Sequence, residues 1–162
     1  MEMPRYCPRC ATPLAVRAAS GRDRPCCPAE GCGYVHWGNP LPVVAALVEH
    51  EGDVVLVRNH DWPEKWFGLV TGFLEAGETP EEGVLRELRE ELGLEGTLRR
   101  FIGVYPFLER NELILAWHVE AHGTLRLGEE LAAFKRVPPD KLRPWPMGTG
   151  RAVADWLAVR AR

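Results

Sequence analysis

The sequence has no apolar run near the ~20 residues that a membrane-crossing helix needs. Its opening, MEMPRYCPRC, holds no apolar region of the kind that heads a secretory signal. It has no basic excess either: net charge at pH 7 is −3, so the electrostatic footprint of a duplex or anionic-membrane binder is missing. Internal repeats and low-complexity tracts are also missing. These absences lead to the expectation of a soluble cytoplasmic protein, with nucleic acid an unlikely partner. What is present suits one main domain with a small appendage: 162 residues, 46% of them hydrophobic, with six Trp.

Cysteine is missing from residue 33 onward, and all five lie before it. Cys7-Pro-Arg-Cys10 forms one knuckle. Cys27-x4-Cys32 supplies a second, 16 residues later. Without an export signal, paired knuckles read as a structural four-thiolate Zn²⁺ site rather than disulfides. So short a segment has almost no apolar core and needs the metal to fold. Cys26-x5-Cys32 is an alternative pairing; Cys27 is preferred because CPAEGCG resembles the Cys-Pro…Cys-Gly knuckle of zinc ribbons. His36 reads as a packing or surface residue. The expected division is a ribbon over residues 1–38 and a main domain over 39–162. The ribbon's expected role is structural, as a docking element or as the contact of a homodimer, with a nucleic-acid role as the less favoured alternative.

In the main domain, Pro42 to Glu49 (PVVAALVE) reads as a buried strand, and Glu51-Gly52-Asp53 turns it into a second strand over Val54 to Arg58. His60 to Phe67 is a loop carrying Trp62 and Trp66, and Gly68 to Thr71 leads into the next stretch. Further strands are expected over Arg99 to Val104, Glu112 to Ala121 and Phe134 to Val137. Gly150 to Arg162 sets Ala152, Val153, Trp156 and Leu157 on one helical face.

The chemistry gathers between Gly72 and Leu94, GFLEAGETPEEGVLRELREELGL. Thr79 and Glu82 are spaced as a capping box around Pro80, and Gly93 is a C-cap signal, so a helix is predicted over Pro80–Leu92. Val84, Leu85, Leu88 and Leu92 form its core stripe. Glu87, Glu90 and Glu91 form a neighbouring stripe at i, i+3 and i+4, with the small Gly83 on the same side. Like charges at that spacing repel. Arg86, four residues from Glu82 and from Glu90, can neutralise part of the cluster. The oxygen-only remainder suits Mg²⁺ or Mn²⁺, which share their coordination with a substrate's phosphates.

The stretch matches the Nudix box, G-x5-E-x7-R-E-U-x-E-E-x-G-U with U bulky and aliphatic, through Gly72, Glu78, Arg86, Glu87, Leu88, Glu90, Glu91, Gly93 and Leu94. The chain therefore resembles a Nudix hydrolase. That resemblance implies an α/β/α sandwich with a mixed sheet, here preceded by a zinc ribbon. It also implies that the box holds divalent cations against a diphosphate while water attacks phosphorus, giving two phosphate-bearing products. Glu87 and Glu91 correspond to the primary metal ligands, with Glu90 and Glu78 completing or supporting the cluster, and Arg86 orients the glutamates. A further acidic ligand from beyond the box falls on Glu130, or failing that on Glu129. Which carboxylate is the general base stays open.

Ribbon and box together are similar to the branch with NADH pyrophosphatases and plant-type hydrolases of FAD and ADP-ribose. One departure matters: the NADH pyrophosphatase motif after the box, Ser-Gln-Pro-Trp-Pro-Phe-Pro in type, is replaced by Gly103-Val-Tyr-Pro-Phe-Leu108. Trp62, Trp66, Phe67, Phe73, Tyr105 and Phe107 flank the box as stacking candidates for a base, Trp62 and Trp66 foremost. Arg58 is placed to reach a terminal phosphate. Arg58, Arg86 and Arg89 are the cations nearest the box in sequence, with no cluster to hold a third phosphate. A pyrophosphatase of ADP-ribose, NADH or FAD is thus the leading expectation. A triphosphate sanitiser and a non-catalytic nucleotide sensor are its rivals, and the intact box weighs against the sensor.

Overall fold

The structure, a computed structural model, describes residues 3–161. It divides into two compact units, one up to Pro40 and one from Leu41 onward.

The first unit contains an antiparallel hairpin of β1 (Ala15–Ala19) and β2 (Arg22–Cys26). Its two-residue turn, Ser20-Gly21, has positive φ at both positions (49° and 76°), the twist that suits a tight hairpin. These short strands, AVRAA and RDRPC, alternate too weakly to be read as strands from sequence.

The second unit is built on one mixed sheet. Its strands are β3 (Leu41–His50), β4 (Asp53–Asn59), β5 (Val70–Phe73), β6 (Glu95–Phe107), β7 (Glu112–His122) and β8 (Leu131–Val137). The order is β6-β7-β3-β4-β8, with β5 also pairing β3. β3 and β7 run parallel, in register from Leu41↔Glu112 to His50↔Ala121, while the other pairings are antiparallel. Pro106 is tolerated inside β6 because that strand is at the sheet's edge, where a missing N–H breaks no ladder.

β3 shows how the layers form. Val44, Ala46 and Val48 pack with Val84, Leu88 and Leu92 of helix α1 (Pro80–Leu92). The alternate residues Val43, Ala45 and Leu47 pack with Ala152, Val153 and Trp156 of α2 (Gly150–Arg160). Strand side chains alternate between faces, so the two helices cover opposite sides of the sheet. The expected α/β/α sandwich is the fold observed. α1 has the predicted bounds, with Pro80 in the first turn and Gly93 at φ 64° closing it. Three expectations were short: Gly68 to Thr71 leads into a true strand, β5, while β6 and β8 each begin before the predicted Arg99 and Phe134. No helix among the described residues is long and apolar enough to cross a membrane.

Candidate active site

The box is shaped first by its arginine. Arg86 Nε and Nη2 donate to the two oxygens of Glu78 at 3.0 and 2.8 Å. Nη1 donates to Glu87 Oε1 at 2.7 Å and to Glu90 Oε2 at 3.0 Å, and Nη2 also reaches the Phe73 carbonyl at 3.1 Å. A guanidinium has five N–H donors, and these contacts use all five. Arg86 is therefore committed to holding carboxylates and has no donor left for a ligand. Its hydrogen bonds are the main reason that the Glu78 carboxyl is held down at about 2.

Glycines make the room. A Cβ on Gly72 would overlap the Glu87 carboxyl, and one on Gly128 would overlap the Glu90 carbonyl oxygen. The close approach at Gly128 lets its N–H donate to Glu91 O at 2.8 Å, while Arg126 N–H donates to Leu92 O at 2.8 Å. Both bonds satisfy carbonyls that the C-terminus of α1 would otherwise leave unpaired. They also tie the segment after β7 to the helix end and carry Glu129 and Glu130 to the carboxylates of the box.

The result is a cleft of about 580 Å³ at the end of the sheet where β3 and β7 begin and β4 and β5 finish. Glu87, Glu90, Glu91, Glu129 and Glu130 all line it. Glu91 is only 6% exposed, and its Oε2 is buried without a hydrogen-bond partner. Burial, followed by the charges of Glu87, Glu130 and Glu90, pushes this carboxyl up to about 8. Burial also raises Glu87, against the pull of Arg86. A buried carboxylate with no donor and three acidic neighbours is costly unless it is protonated or faces a cation. Hard oxygen donors on that footing fit Mg²⁺ or Mn²⁺.

The other expected site residues divide. Trp62 lines the cleft, with its ring set against Gly68 so closely that a Cβ there would lie 3.1 Å from it. Trp66 is 56% exposed and off the cleft. Arg58 lies outside the lining too, with its Nε buried and unpaired. Tyr105 is a correction: it is buried in the α2-side core and its hydroxyl donates to Asp155 Oδ2 at 2.7 Å. β6 runs past the expected end at Val104 to Phe107, so Tyr105 is a strand residue packed in the core rather than part of an open loop beside the box. Arg110 and Glu112 line the cleft although neither was expected. Only the parallel β3–β7 pairing brings them there, and no local signal in the sequence announces it. Arg110, rather than Arg58 or Arg89, is the second cation of the cleft.

In the first unit, the Sγ atoms of Cys7, Cys10, Cys27 and Cys32 lie within 4.8 Å of one another. Separations of 3.6 Å (Cys7–Cys32), 3.5 Å (Cys10–Cys27) and 3.7 Å (Cys10–Cys32) match the ~3.8 Å edge of a tetrahedron with Zn–S bonds of ~2.3 Å. Cys26 is not in the group; it pairs with Val35 in an isolated bridge.

A family model described as the NUDIX domain matches residues 39–156. The chain belongs to the Nudix family. It is 35% identical over 120 residues to the NAD-capped RNA hydrolase NudC of Chromobacterium violaceum, covering 74% of this chain and 43% of that protein. Against the protein of the same name from Vibrio vulnificus it is 28% identical, covering 98% and 60%. The chain thus spans about half the length of the curated relatives it matches. Among solved structures, a NUDIX hydrolase from Nitrosomonas europaea superimposes with a TM-score of 0.80 at 21% identity, covering 98% of this chain and 93% of that one. An ADP-ribose pyrophosphatase from Streptococcus suis superimposes with a TM-score of 0.63 at 19% identity, covering 76% and 94%. These two likenesses speak for the fold.

Proposed function

We propose that the cleft hydrolyses the diphosphate of a nucleoside diphosphate linked to a second moiety, in the class of ADP-ribose, NADH and FAD. The observation that carries this reading is Glu91 Oε2, buried, unpaired and surrounded by carboxylates in the cleft of a Nudix fold. Glu87 and Glu91 would hold Mg²⁺ or Mn²⁺, with Glu90, Glu78 and Glu130 in support. A divalent cation bound there supplies charge neutralisation for the diphosphate and lowers the pKa of the attacking water. The chain's own contribution is placement. Arg86 fixes Glu87 and Glu90, Gly72 makes room for Glu87, and the loop bonds to the end of α1 bring Glu130 beside Glu91. Phe73 is 56% exposed while lining the cleft, so it and Trp62 are the surfaces on which a base would stack.

The relatives' names support the substrate class, since NAD and ADP-ribose both carry a diphosphate between two organic groups. Such a substrate can be gripped at both ends, whereas a triphosphate presents one base and a long anionic tail. Beyond the committed Arg86, the cleft's lining offers one cation among the described residues for that tail. The value of kcat/KM for ADP-ribose or an adenine dinucleotide is therefore expected to exceed that for any nucleoside triphosphate by at least about tenfold, or ~1.4 kcal/mol. A panel of ADP-ribose, NADH, FAD and the four triphosphates with Mg²⁺ tests this. A triphosphate ranking first would replace the proposal with the sanitiser reading.

The four-cysteine group supports structural zinc in the first unit. One equivalent of zinc per chain is expected by elemental analysis. Cys10→Ser should loosen residues before about 38 in hydrogen exchange while the second unit, which has its own core, keeps its cooperative melt. Absence of zinc, or disulfides seen by mass spectrometry, would end the idea.

A further inference from the structure

Of the cleft's two arginines, Arg110 is the one whose charge no carboxylate has taken up. Among the described residues, the lining holds seven glutamates and two arginines. Arg86 has used its five donors on the chain. Arg110, by contrast, has no hydrogen bond or ion pair among the described residues, although Glu109 is its neighbour in sequence and Glu112 lines the same cleft. A cation placed among carboxylates without pairing to any of them is free to meet an anion.

Its base is well anchored. Arg110 ends the short 3₁₀ turn Leu108–Arg110 between β6 and β7. Asn111 follows in the left-handed conformation (φ 53°), with its N–H on Leu108 O at 3.2 Å and its carbonyl accepting from Leu41 N–H at 2.9 Å. The guanidinium lies 5.7 Å from the centroid of Phe107, a ring packed on the α2-side core. Because β7 flanks β3 on one side and β4 on the other, Arg110 enters the cleft from the β7 side and Asn59 and Trp62 from the β4 side.

We propose that Arg110 binds the substrate by gripping non-bridging phosphoryl oxygens of the diphosphate from the β7 side of the cleft. This rests on the diphosphate reading above. A guanidinium presents paired donors that match two phosphoryl oxygens, which an ammonium cannot do in the same way. Phosphoryl charge is present in substrate and transition state alike, so the contact acts mainly as uniform binding and its loss falls on KM.

The test uses Arg110→Met, which keeps an apolar stem over Phe107, and Arg110→Lys, which keeps the charge without the fork. Two readouts are needed: steady-state kinetics with ADP-ribose and Mg²⁺, and calorimetric titration with α,β-methylene-ADP, a diphosphate that cannot be cleaved at its bridge. Arg110→Met should raise KM about tenfold with kcat within about threefold, and should weaken α,β-methylene-ADP to a similar extent. Arg110→Lys should fall between Met and wild type in both. KM and analogue affinity both within about twofold of wild type would overturn the inference while turnover of ADP-ribose kept the functional reading intact. A wild type that cleaves no linked diphosphate, yet binds the analogue and loses that binding in Arg110→Met, would sink the functional reading and keep Arg110 as a diphosphate-binding residue.

Discussion

Glu91→Gln is expected to lower kcat/KM for a linked diphosphate by two to three orders of magnitude while stabilising the metal-free protein. The activity loss follows from exchanging a carboxylate for a neutral amide, which binds a divalent cation poorly and leaves the cleft short of charge. At this scale the change is about 3–4 kcal/mol in the transition state. The stability gain has an independent source. An acid whose folded pKa, about 8, is above its unfolded value of ~4.3 binds its proton more tightly when folded. Its contribution is complete below the unfolded value and is lost as pH rises through about 8. In a chelated sample the wild-type Tm should therefore decline from pH 5 to pH 8.5 more steeply than that of Glu91→Gln, with the variant ahead at the alkaline end. Parallel Tm profiles, or activity within a few-fold of wild type, would count against the role given to Glu91.

Arg86→Ala should cost both fold and function. Three carboxylates lose their partner together. Glu78 and Glu87 are the expensive ones, at 16% and 13% side-chain exposure; Glu90, 60% exposed, is screened and matters less. Leaving part-buried carboxylates unpaired costs about 1–3 kcal/mol, a drop of several degrees in Tm for a protein of this size. Activity should fall about a hundredfold as Glu87 and Glu90 lose their fixed positions. Arg86→Lys should recover little, because three donors on a flexible stem cannot span the five acceptors that the guanidinium now serves. A lysine variant with near-wild-type kcat would show that charge alone, without the fork, organises the cluster.

Much of this was legible in the chain because it is local. The capping box, Pro80 and Gly93 lie within fifteen residues of one another, and the structure closes α1 where they say it must. The β3 run could be read because both its faces are buried, leaving an unbroken apolar string. The role of Arg86 followed from its helical spacing to Glu90, although the bidentate hold on Glu78, eight residues back, did not. What escaped depends on distance along the chain or on where a strand ends. Arg110 reaches the cleft only through a parallel pairing between strands some 70 residues apart. Tyr105 was misplaced because the strand was expected to stop at Val104, whereas β6 runs on to Phe107 and buries Tyr105 in the α2-side core. Phe73 was weighed with its aromatic neighbours and not singled out, since nothing short of the fold tells a cleft wall from a core position.

The central claim is that this carboxylate cleft breaks a nucleotide-linked diphosphate with a divalent cation, and product analysis tests it most directly. ADP-ribose is incubated with the protein in ¹⁸O-labelled water with Mg²⁺, alongside a sample containing excess chelator, and the products are separated and weighed by mass spectrometry. The predicted result is AMP and ribose 5-phosphate in equal amounts, with one ¹⁸O on one of the two phosphates, and neither product in the chelated sample. Intact ADP-ribose after prolonged incubation, or products that form equally well without the cation, would contradict it.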